Sequence, residues 1–369
     1  MSIDRITLTH VRVPLVEPFR ISSGEVSTKD GIIVAVDSEG ATGYGEASPM
    51  AGAFYSDDTP ESVWSDLTGL LIPAVLRHGS SSVADVNRVL NRVGGSPFAR
   101  AGVESAFWDL EGQKTGRPLW DLLGTENKPV ESGLAVGIYT SIPYLLDAVR
   151  RFMQEGYKRI KIKIQPGWDL GPLEAMRKLY PEMPLMVDAN CAYTRDDIAH
   201  LKKLDKFGLM MIEQPLAKDD LEGHASLQES LQTPVCLDES VEDVASLEKA
   251  LVLGACQIIN IKVQRVGGLM NAKAIHDLCK AKGIPVWAGT MPELGIGGVQ
   301  TVHLAMLDNF AFPTDVESSS RWFTDEIIDP PLQVKNGFLR VAPGPGNGHQ
   351  VNLEVVRQWT VRTAEFVAS

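Results

Sequence analysis

The sequence has 369 residues, of which 44% are hydrophobic and 22% charged, and its formal net charge is −12. A chain of this length can form two domains, or one barrel with an appended domain. The negative charge, without a visible basic stripe, argues against a nucleic acid or an anionic membrane as a partner.

The first 125 residues are predicted to form an α+β domain. Alternating hydrophobic residues predict an antiparallel meander of three strands, at residues 6–13, 31–36 and 41–46. Helical patterns follow, one beginning at Pro60 and another over residues 98–115 that ends at Gly116. Strands followed by helices are typical of an α+β unit.

From about residue 130, short hydrophobic runs alternate with amphipathic helical segments. The runs, each predicted to be a buried strand, lie at residues 133–139, 159–164, 185–187, 209–212, 235–237, 258–261 and 285–288. Helical periodicity is visible between them, for example over residues 142–155 and 269–282. Repeated βα units of this kind imply a parallel sheet.

The charged residues that end these runs are regularly spaced. They are Lys163, Asp188, Glu213, Asp238 and Lys262, at intervals of 25, 25, 25 and 24 positions. A βα period of this size predicts an α/β fold of the (β/α)8-type TIM barrel class, in which the carboxyl ends of the strands converge on one mouth. A doubly wound open sheet is the alternative, but it would not gather five successive strand ends into a ring. Residues 133–137 also lack the G-x-G-x-x-G pattern that often accompanies such a sheet.

The three carboxylates of this set are candidates for a metal site. Mg²⁺ prefers oxygen ligands and commonly takes a few protein carboxylates together with water and substrate oxygens. Asp188, Glu213 and Asp238 would be costly to ionise together without a cation, because like charges raise each other's pKa. A single acid at a strand end is usually a helix N-cap or a surface charge, whereas three at equal intervals favour one shared site.

Three lysines are the candidate catalytic groups. Lys161 and Lys163 are two positions apart on one strand and therefore face the same side, which we expect to be the barrel interior. Repulsion between them is expected to lower the pKa of one toward a value suited to a general base. Lys262 ends the sixth run, across the mouth from Lys163. Two bases on opposite sides of a metal can each reach one face of a substrate carbon, while the metal stabilises the enediolate.

The sequence also predicts a cytoplasmic location. The N-terminus lacks a basic segment followed by an apolar one, and no run of about 18 apolar residues is present. The four cysteines, Cys191, Cys236, Cys256 and Cys279, form no C-x-x-C pair. Reduced and mostly buried thiols are therefore expected.

At these positions the sequence resembles the enolase superfamily, in its muconate-lactonizing subgroup, whose members use Lys or His bases with Mg²⁺. The motifs that carry the resemblance are Lys161-Ile162-Lys163, Asp188-Ala189-Asn190, Ile212-Glu213-Gln214-Pro215, Leu237-Asp238-Glu239-Ser240 and Asn260-Ile261-Lys262. The resemblance implies a capping domain over residues 1–125, a barrel over residues 126–324 and a segment over residues 325–369 that returns to the cap.

Within the subgroup the sequence is most similar to the o-succinylbenzoate synthase / N-succinylamino acid racemase family. The matching segments are Phe54-Tyr55-Ser56, Arg159-Ile160-Lys161-Ile162-Lys163-Ile164, Pro166-Gly167-Trp168-Asp169 and Arg265-Val266-Gly267-Gly268. The resemblance implies that Lys163 abstracts the proton next to a substrate carboxylate and that Lys262 is the opposite base or stabilises the enolate. It implies that Lys161 tunes Lys163 and that Arg265 supports the Lys262 side.

The resemblance also implies a cofactor, partners and further contacts. Mg²⁺, replaceable by Mn²⁺ or another divalent ion, would be held by Asp188, Glu213 and Asp238. The substrate would be a small carboxylate and the enzyme a homo-oligomer, with no nucleic acid or membrane partner. Residues implied to contact the substrate or to support those that do are Phe19, Tyr55, Asn190, Glu239, Arg265, Gly289, Met291 and Glu293.

Two segments depart from the family pattern. After the seventh strand the family usually shows G-G-M-x-E-[ST]-G, and this chain reads Gly289-Thr290-Met291-Pro292-Glu293-Leu294-Gly295. After the sixth-strand lysine the usual P-G-R is replaced by Val263-Gln264-Arg265. Pro292 removes a hydrogen-bond donor and Leu294 replaces a hydroxyl residue. We expect these changes to lie where the succinyl or ring portion of the substrate binds.

The glycines around this segment have two readings. Gly289, Gly295, Gly297 and Gly298 form either a loop whose backbone approaches a ligand closely, or a turn and the beginning of a helix.

Two other functions compete with the synthase and racemase activities. A dipeptide epimerase or cycloisomerase would use the same scaffold. Dipeptide epimerases typically carry an acidic D-x-D motif after the last strand, and Asp315-Val316-Glu317-Ser318 matches it only in part. A catalytically silent barrel that only binds ligands would be expected to lack a base or a metal ligand, and all five charged strand-end residues are present.

Overall fold

A computed structural model describes residues 3–52, 55–79 and 82–368. Phe54, one of the residues that carry the family resemblance, lies outside these ranges. No helix among the described residues is long and apolar enough to cross a membrane.

The N-terminal domain is built on an antiparallel sheet whose fourth strand comes from the other end of the chain. Its strands are β1 (Arg5–Ile21), β2 (Gly24–Ser38), β3 (Ala41–Ala47) and β15 (Thr360–Val367), in the order β15-β1-β2-β3. The predicted three-stranded meander is confirmed, and β1 and β2 extend well beyond the predicted runs into a long hairpin. The C-terminal strand β15 pairs with β1, so the chain returns to the cap.

Helices cover one face of this sheet. They are α1 (Pro60–Asp66), α2 (Ile72–His78), α3 (Val83–Val93), α4 (Pro97–Thr115) and α5 (Leu119–Leu122), with a π-helical segment at Leu67–Leu71. The backbones of β3 and α4 approach each other closely because β3 carries glycine at positions 43 and 45. A Cβ at Gly45 would lie 2.2 Å from the carbonyl oxygen of Gly102. Glycine is therefore required there for the helix to dock on the strand.

The second domain contains a curved parallel sheet of seven strands among the described residues. They are β5 (Leu134–Val136), β6 (Ile160–Lys163), β7 (Leu185–Asp188), β8 (Ile212–Glu213), β9 (Val235–Leu237), β10 (Ile258–Ile261) and β11 (Val286–Ala288), and they are adjacent in chain order. Each of the seven predicted runs overlaps a strand, although β8 begins only at Ile212, the last residue of its run. The barrel prediction is confirmed and the doubly wound alternative is wrong.

An irregular segment, residues 309–315, takes the place of an eighth strand. The N–H of Ala311 donates to the carbonyl of Val286 in β11, and the N–H of Gly133, next to β5, donates to the carbonyl of Thr314. Hydrogen bonds on both sides of the segment close the barrel. Pro313 lacks an N–H and cannot take part in a regular ladder.

Helices of the barrel domain lie between the strands. They are α6 (Ile142–Phe152), α7 (Leu170–Leu179), α8 (Ile198–Leu201), α9 (Leu221–Ser230), α10 (Val244–Leu253), α11 (Val263–Val266), α12 (Leu269–Lys282) and α13 (Gly295–Leu304), with short 3-10 turns at Met153–Glu155, Arg195–Asp197 and Lys202–Phe207. Gly295, Gly297 and Gly298 all fall in the first turn of α13, which supports the helix-start reading of the glycine-rich stretch. The remaining short strands form two pairs, β4 (Val130–Glu131) with β13 (Phe338–Leu339) and β12 (Ile328–Asp329) with β14 (Gln350–Val351). The remaining helices are α14 (Ser319–Trp322) and α15 (Leu353–Gln358).

Candidate active site

The five charged residues of the spacing pattern lie at the carboxyl ends of β6 to β10. Lys163, Asp188 and Glu213 are the last residues of their strands, and Asp238 and Lys262 directly follow theirs. All five are buried, and the three carboxylates have no exposed surface. Burial of so many charges is stable only when they neutralise each other or bind an ion.

Lys163 is held at one side of this cluster. Its Nζ donates to Asp188 Oδ2 at 2.5 Å and to Asn190 Oδ1 at 2.8 Å. Asn190 adopts a left-handed conformation, with φ of 43°, and its Nδ2 donates to Glu239 Oε1 at 3.0 Å. Asn190 and Glu239, both implied by the family resemblance, therefore lie at the centre of the site beside Lys163.

Lys262 is held at another carboxylate, Asp238. Its Nζ donates to Asp238 Oδ2 at 2.8 Å and to the hydroxyl of Tyr55 at 3.1 Å, and lies 4.5 Å from the centroid of the Tyr55 ring. Arg265 also binds Asp238 and donates from Nη2 to the carbonyl of Asn260 at 2.6 Å. Tyr55 and Arg265 are thus brought to the Lys262 side of the site.

Lys161 lies on β6 two positions before Lys163, where it contacts further carboxylates. Its Nζ is 3.2 Å from Glu213 Oε2 and 3.4 Å from Asp188 Oδ2, and it forms an ion pair with Asp315. Burial lowers the pKa of Lys161, but the nearby carboxylates of Asp315 and Glu213 outweigh burial and raise it. The lowering of pKa that we expected at one of the two lysines of this strand therefore does not occur at Lys161, because these carboxylates surround it.

Three residues that support Lys161 were not among the predicted site residues. Asp315 also pairs with Arg159, whose Nη2 is 2.8 Å from Oδ1. The ring of Trp287 lies 4.9 Å from Lys161 Nζ and 5.3 Å from Arg159 Cζ. Arg159 could have been found, because it lies two positions before Lys161 and shares its face of the strand. Asp315 lies in the segment considered as a partial D-x-D motif.

The three carboxylates differ in their proton affinity. Burial alone would raise the pKa of Asp188, but the ammonium groups of Lys163 and Lys161 lower it to about 2. The pKa of Asp238 is lowered in the same way against burial, by Lys262 and then Arg265. Burial, followed by the charge of Asp188, raises the pKa of Glu213 well above its usual value. We expected the three carboxylates to raise each other's pKa, and among them only the pKa of Glu213 is raised.

The donor set suits a hard divalent cation. Carboxylates stand at the carboxyl ends of three neighbouring strands, and Asn190 and Glu239 add further oxygen atoms beside them. Within the described ranges, Glu239 Oε2 is buried without a hydrogen-bond partner, and burial raises the pKa of this residue to about 8. In the arrangement seen here the carboxylates bind lysine and arginine instead, and no three acidic, histidine or cysteine side chains of the described residues are spaced to hold an ion.

The other residues implied by the resemblance lie farther from this cluster. The ring of Phe19, in the β1–β2 hairpin, packs edge-on against Trp322, with centroids 4.9 Å apart. Met291 is buried with the hydrophobic core of the cap, and its N–H donates to Glu293 Oε1 at 3.2 Å. A Cβ at Gly289 would lie 2.3 Å from Asn260 Oδ1, so only glycine fits between β11 and that side chain.

Leu294 and Gln264, two residues at which the sequence departs from the family pattern, contact the cap domain. A Cβ at Gly31 would lie 2.7 Å from Leu294 Cδ1, so Leu294 packs on the backbone of β2. Gln264 Nε2 donates to the carbonyl of Glu46 at 2.8 Å, and Gln264 Oε1 accepts from the N–H of Ser48 at 2.9 Å. Both side chains are therefore engaged by the cap, and their position relative to the substrate stays a prediction.

Replacement of Tyr55 by phenylalanine is expected to lower kcat by about tenfold, because the charged group of Lys262 loses one hydrogen bond. The variant keeps the ring next to Lys262 and removes only the hydroxyl, which lies 3.3 Å from Asp238 Oδ1. Steady-state kinetics would measure the change. Tyr139→Phe is the matched control, because its hydroxyl binds Glu17 at 3.0 Å, away from this cluster. An equal loss in both variants would contradict the role of Tyr55.

Comparison with known proteins agrees with this geometry. Residues 3–124 match the family described as the N-terminal domain of mandelate racemase / muconate lactonizing enzyme, and residues 144–355 match the enolase C-terminal domain-like family. The o-succinylbenzoate synthase of Geobacillus kaustophilus is 42% identical over 361 residues, which cover 98% of this chain and 96% of the relative. The N-succinylamino acid racemase of Amycolatopsis sp is 41% identical, with coverage of 94% and 95%.

A solved structure supports the same assignment. An enolase-superfamily member from Listeria innocua has a TM-score of 0.95 and 34% sequence identity, and the match covers 100% of both chains. The matches extend over both domains and agree with the barrel topology. The chain therefore belongs to the enolase superfamily of enzymes, in the family of o-succinylbenzoate synthases and N-succinylamino acid racemases.

Proposed function

We propose that this enzyme moves the proton next to a substrate carboxylate, with Lys163 and Lys262 as the two catalytic groups. The observation that carries the proposal is the placement of these two lysines on different carboxylates of one buried cluster. Lys163 binds Asp188 and Lys262 binds Asp238. A substrate carbon between the two lysines could lose a proton to the neutral amine of one and gain a proton from the ammonium group of the other.

Each side chain of the cluster has a separate role in this proposal. Lys163 in its neutral form takes the α-proton, and Asn190 orients its Nζ through the hydrogen bond from that nitrogen. Lys262 returns a proton on the opposite face, or stabilises the enediolate by its charge when a leaving group departs instead. Arg265 and Tyr55 fix Asp238 and Lys262 in place. Lys161 supplies a fixed positive charge beneath the carboxylate cluster.

We further propose Mg²⁺ as the cofactor, held by Asp188, Glu213 and Asp238, with other divalent ions able to replace it. When bound, the ion would neutralise the substrate carboxylate and the charge that develops as the enediolate forms.

For the substrate, we propose the cyclohexadiene precursor of o-succinylbenzoate, an N-succinylamino acid, or both. High similarity to relatives of both names supports this choice. The acidic segment after the last strand disfavours a dipeptide epimerase. Asp315 is bound to Arg159 and Lys161. Glu317 accepts from the N–H of Ala135 at 2.6 Å, and its Oε2, which has no hydrogen bond, lies 3.6 Å from the charged Arg321, so both carboxylates already face cations of the protein rather than a substrate ammonium group.

The test of the proposed function is proton exchange in D₂O. Each enantiomer of an N-succinylamino acid is incubated with the enzyme and Mg²⁺, and loss of the α-proton signal is followed by NMR. We expect exchange in both enantiomers, or dehydration of the cyclohexadiene substrate, or both, and we expect a chelator to stop these reactions. If neither substrate reacts while an L-Ala-Glu dipeptide is epimerised, the proposal is wrong.

A further inference from the structure

Helix α13 begins without a side-chain cap of its own. Its N-cap residue is Leu294, whose side chain accepts no hydrogen bond, and its first turn contains Gly295, Gly297 and Gly298. Glycine is a weak helix former, and the first N–H groups of any helix need acceptors from elsewhere. The beginning of this helix therefore depends on side chains outside it.

Glu46, in strand β3 of the cap, supplies two of the missing acceptors, and Glu326 Oε1 supplies another for the N–H of Gly295 at 3.0 Å. Glu46 Oε1 accepts from the N–H of Leu294 at 2.8 Å, and Glu46 Oε2 accepts from the N–H of Gly297, also at 2.8 Å. The carboxylate is fully buried and also accepts from the hydroxyl of Ser48. A negative charge at the beginning of a helix is favourable with respect to the helix dipole. A residue of one domain thus caps a helix of the other.

Both departures of this chain from the family pattern meet at the same cap segment. Position 294 carries leucine where the family usually has a hydroxyl residue, a type that can cap a helix from within. At position 264, glutamine binds the backbone of Glu46 and Ser48 through both ends of its amide. Gln264 therefore fastens the cap segment that provides acceptors for α13, while Leu294 offers no side-chain acceptor of its own.

The loop held in this way, residues 289–294, forms part of the barrel mouth. Met291 and Pro292 line a small apolar cavity together with Leu15 and Phe19 of the β1–β2 hairpin. The tip of that hairpin reaches the Lys163 side, where the hydroxyl of Ser22 donates to the carbonyls of residues 189 and 190. The cavity wall is thus formed by a barrel loop and a cap hairpin, whose separation is set where the two domains join.

We propose that Glu46 is a positioning residue for substrate binding. By capping α13 across the domain interface, it holds the loop 289–294 against the β1–β2 hairpin. It thereby shapes the wall that receives the part of the substrate remote from the α-carbon. This inference rests on the proposed function, and it concerns binding of the substrate rather than proton transfer.

The test is Glu46→Gln, which keeps the shape of the side chain but leaves only one oxygen for two N–H donors. We expect KM for the substrate converted by the wild type to rise about tenfold, equivalent to about 1.4 kcal/mol, while kcat stays within about twofold. Asp109→Asn is the matched control. Asp109 is a buried cap carboxylate that accepts from the N–H groups of Tyr44 and Asn347, both at 2.7 Å, and contacts no barrel loop of the substrate site. The control is expected to leave KM unchanged.

A second variant tests the capping itself, independently of activity. Leu294→Thr places a hydroxyl at the N-cap, so Glu46→Gln should lower Tm less in that background than in the wild type. If Glu46→Gln alone does not fold, folding of the double variant supports the proposal. Additive Tm effects, or an equal KM increase in Asp109→Asn, overturn it. A wild type inactive on both substrates overturns the proposed function, whereas the Tm comparison still decides the capping.

Discussion

Replacement of Lys163 by methionine is expected to abolish proton exchange with one enantiomer of an N-succinylamino acid and to preserve exchange with the other. Methionine keeps the aliphatic stem but removes the ammonium group that binds Asp188 and Asn190. Loss of a general base lowers the rate by about 10²- to 10⁴-fold. Lys262 is held separately by Asp238 and Tyr55, so it should still exchange the proton on its own face. NMR in D₂O measures each enantiomer separately.

Lys262→Met is the reciprocal variant and serves as the control. It should lose exchange with the enantiomer that Lys163→Met retains, and both variants should lose racemisation. Dehydration distinguishes the two lysines further, because it requires only one base. Lys163→Met should abolish it, whereas Lys262→Met should reduce it through the loss of charge stabilisation of the enediolate. Exchange of both enantiomers by either variant at the wild-type rate would show that the two lysines are not the two bases.

The regular spacing of the βα units in the sequence predicted which charged residues lie together at the ends of the strands. In a parallel barrel the carboxyl ends of the strands share one edge, so residues one βα unit apart in sequence become neighbours in space. Lys163 and Asp188, 25 positions apart, are in direct contact, as are Asp238 and Lys262. This geometry depends on strand order alone and needs no knowledge of side-chain packing.

Contacts between distant segments could not be predicted in this way. The pairing of Lys161 with Asp315 depends on the irregular segment that closes the barrel, which has no hydrophobic period because Pro313 interrupts it. Burial lowers the pKa of Lys161, and Asp315, through this contact, contributes most to raising it. Leu294 and Gln264 were assigned to the substrate because their neighbours in sequence line the mouth. Their side chains contact the cap, whose orientation on the barrel is a tertiary property.

Asp238→Asn is expected to abolish activity and also to destabilise the fold. Asp238 has no exposed surface and is bound by Lys262, Arg265 and Tyr55. The amide removes a proposed Mg²⁺ ligand, and the loss of electrostatic stabilisation should lower kcat by at least about 10²- to 10³-fold. It also leaves two buried cations without their carboxylate, which costs about 3–5 kcal/mol in the free energy of unfolding.

A second variant separates these two effects. Asp238→Asn combined with Arg265→Met removes one of the unpaired cations, so it should recover part of the lost stability in urea unfolding and none of the lost activity. Mg²⁺ titration of each folded variant measures whether the ion still activates turnover. Retention of Mg²⁺-dependent activity within about tenfold of the wild type by Asp238→Asn would remove Asp238 from the metal site. Recovery of activity by the double variant would mean that Asp238 acts only by neutralising Arg265, because a metal ligand cannot be replaced by deletion of a neighbouring charge.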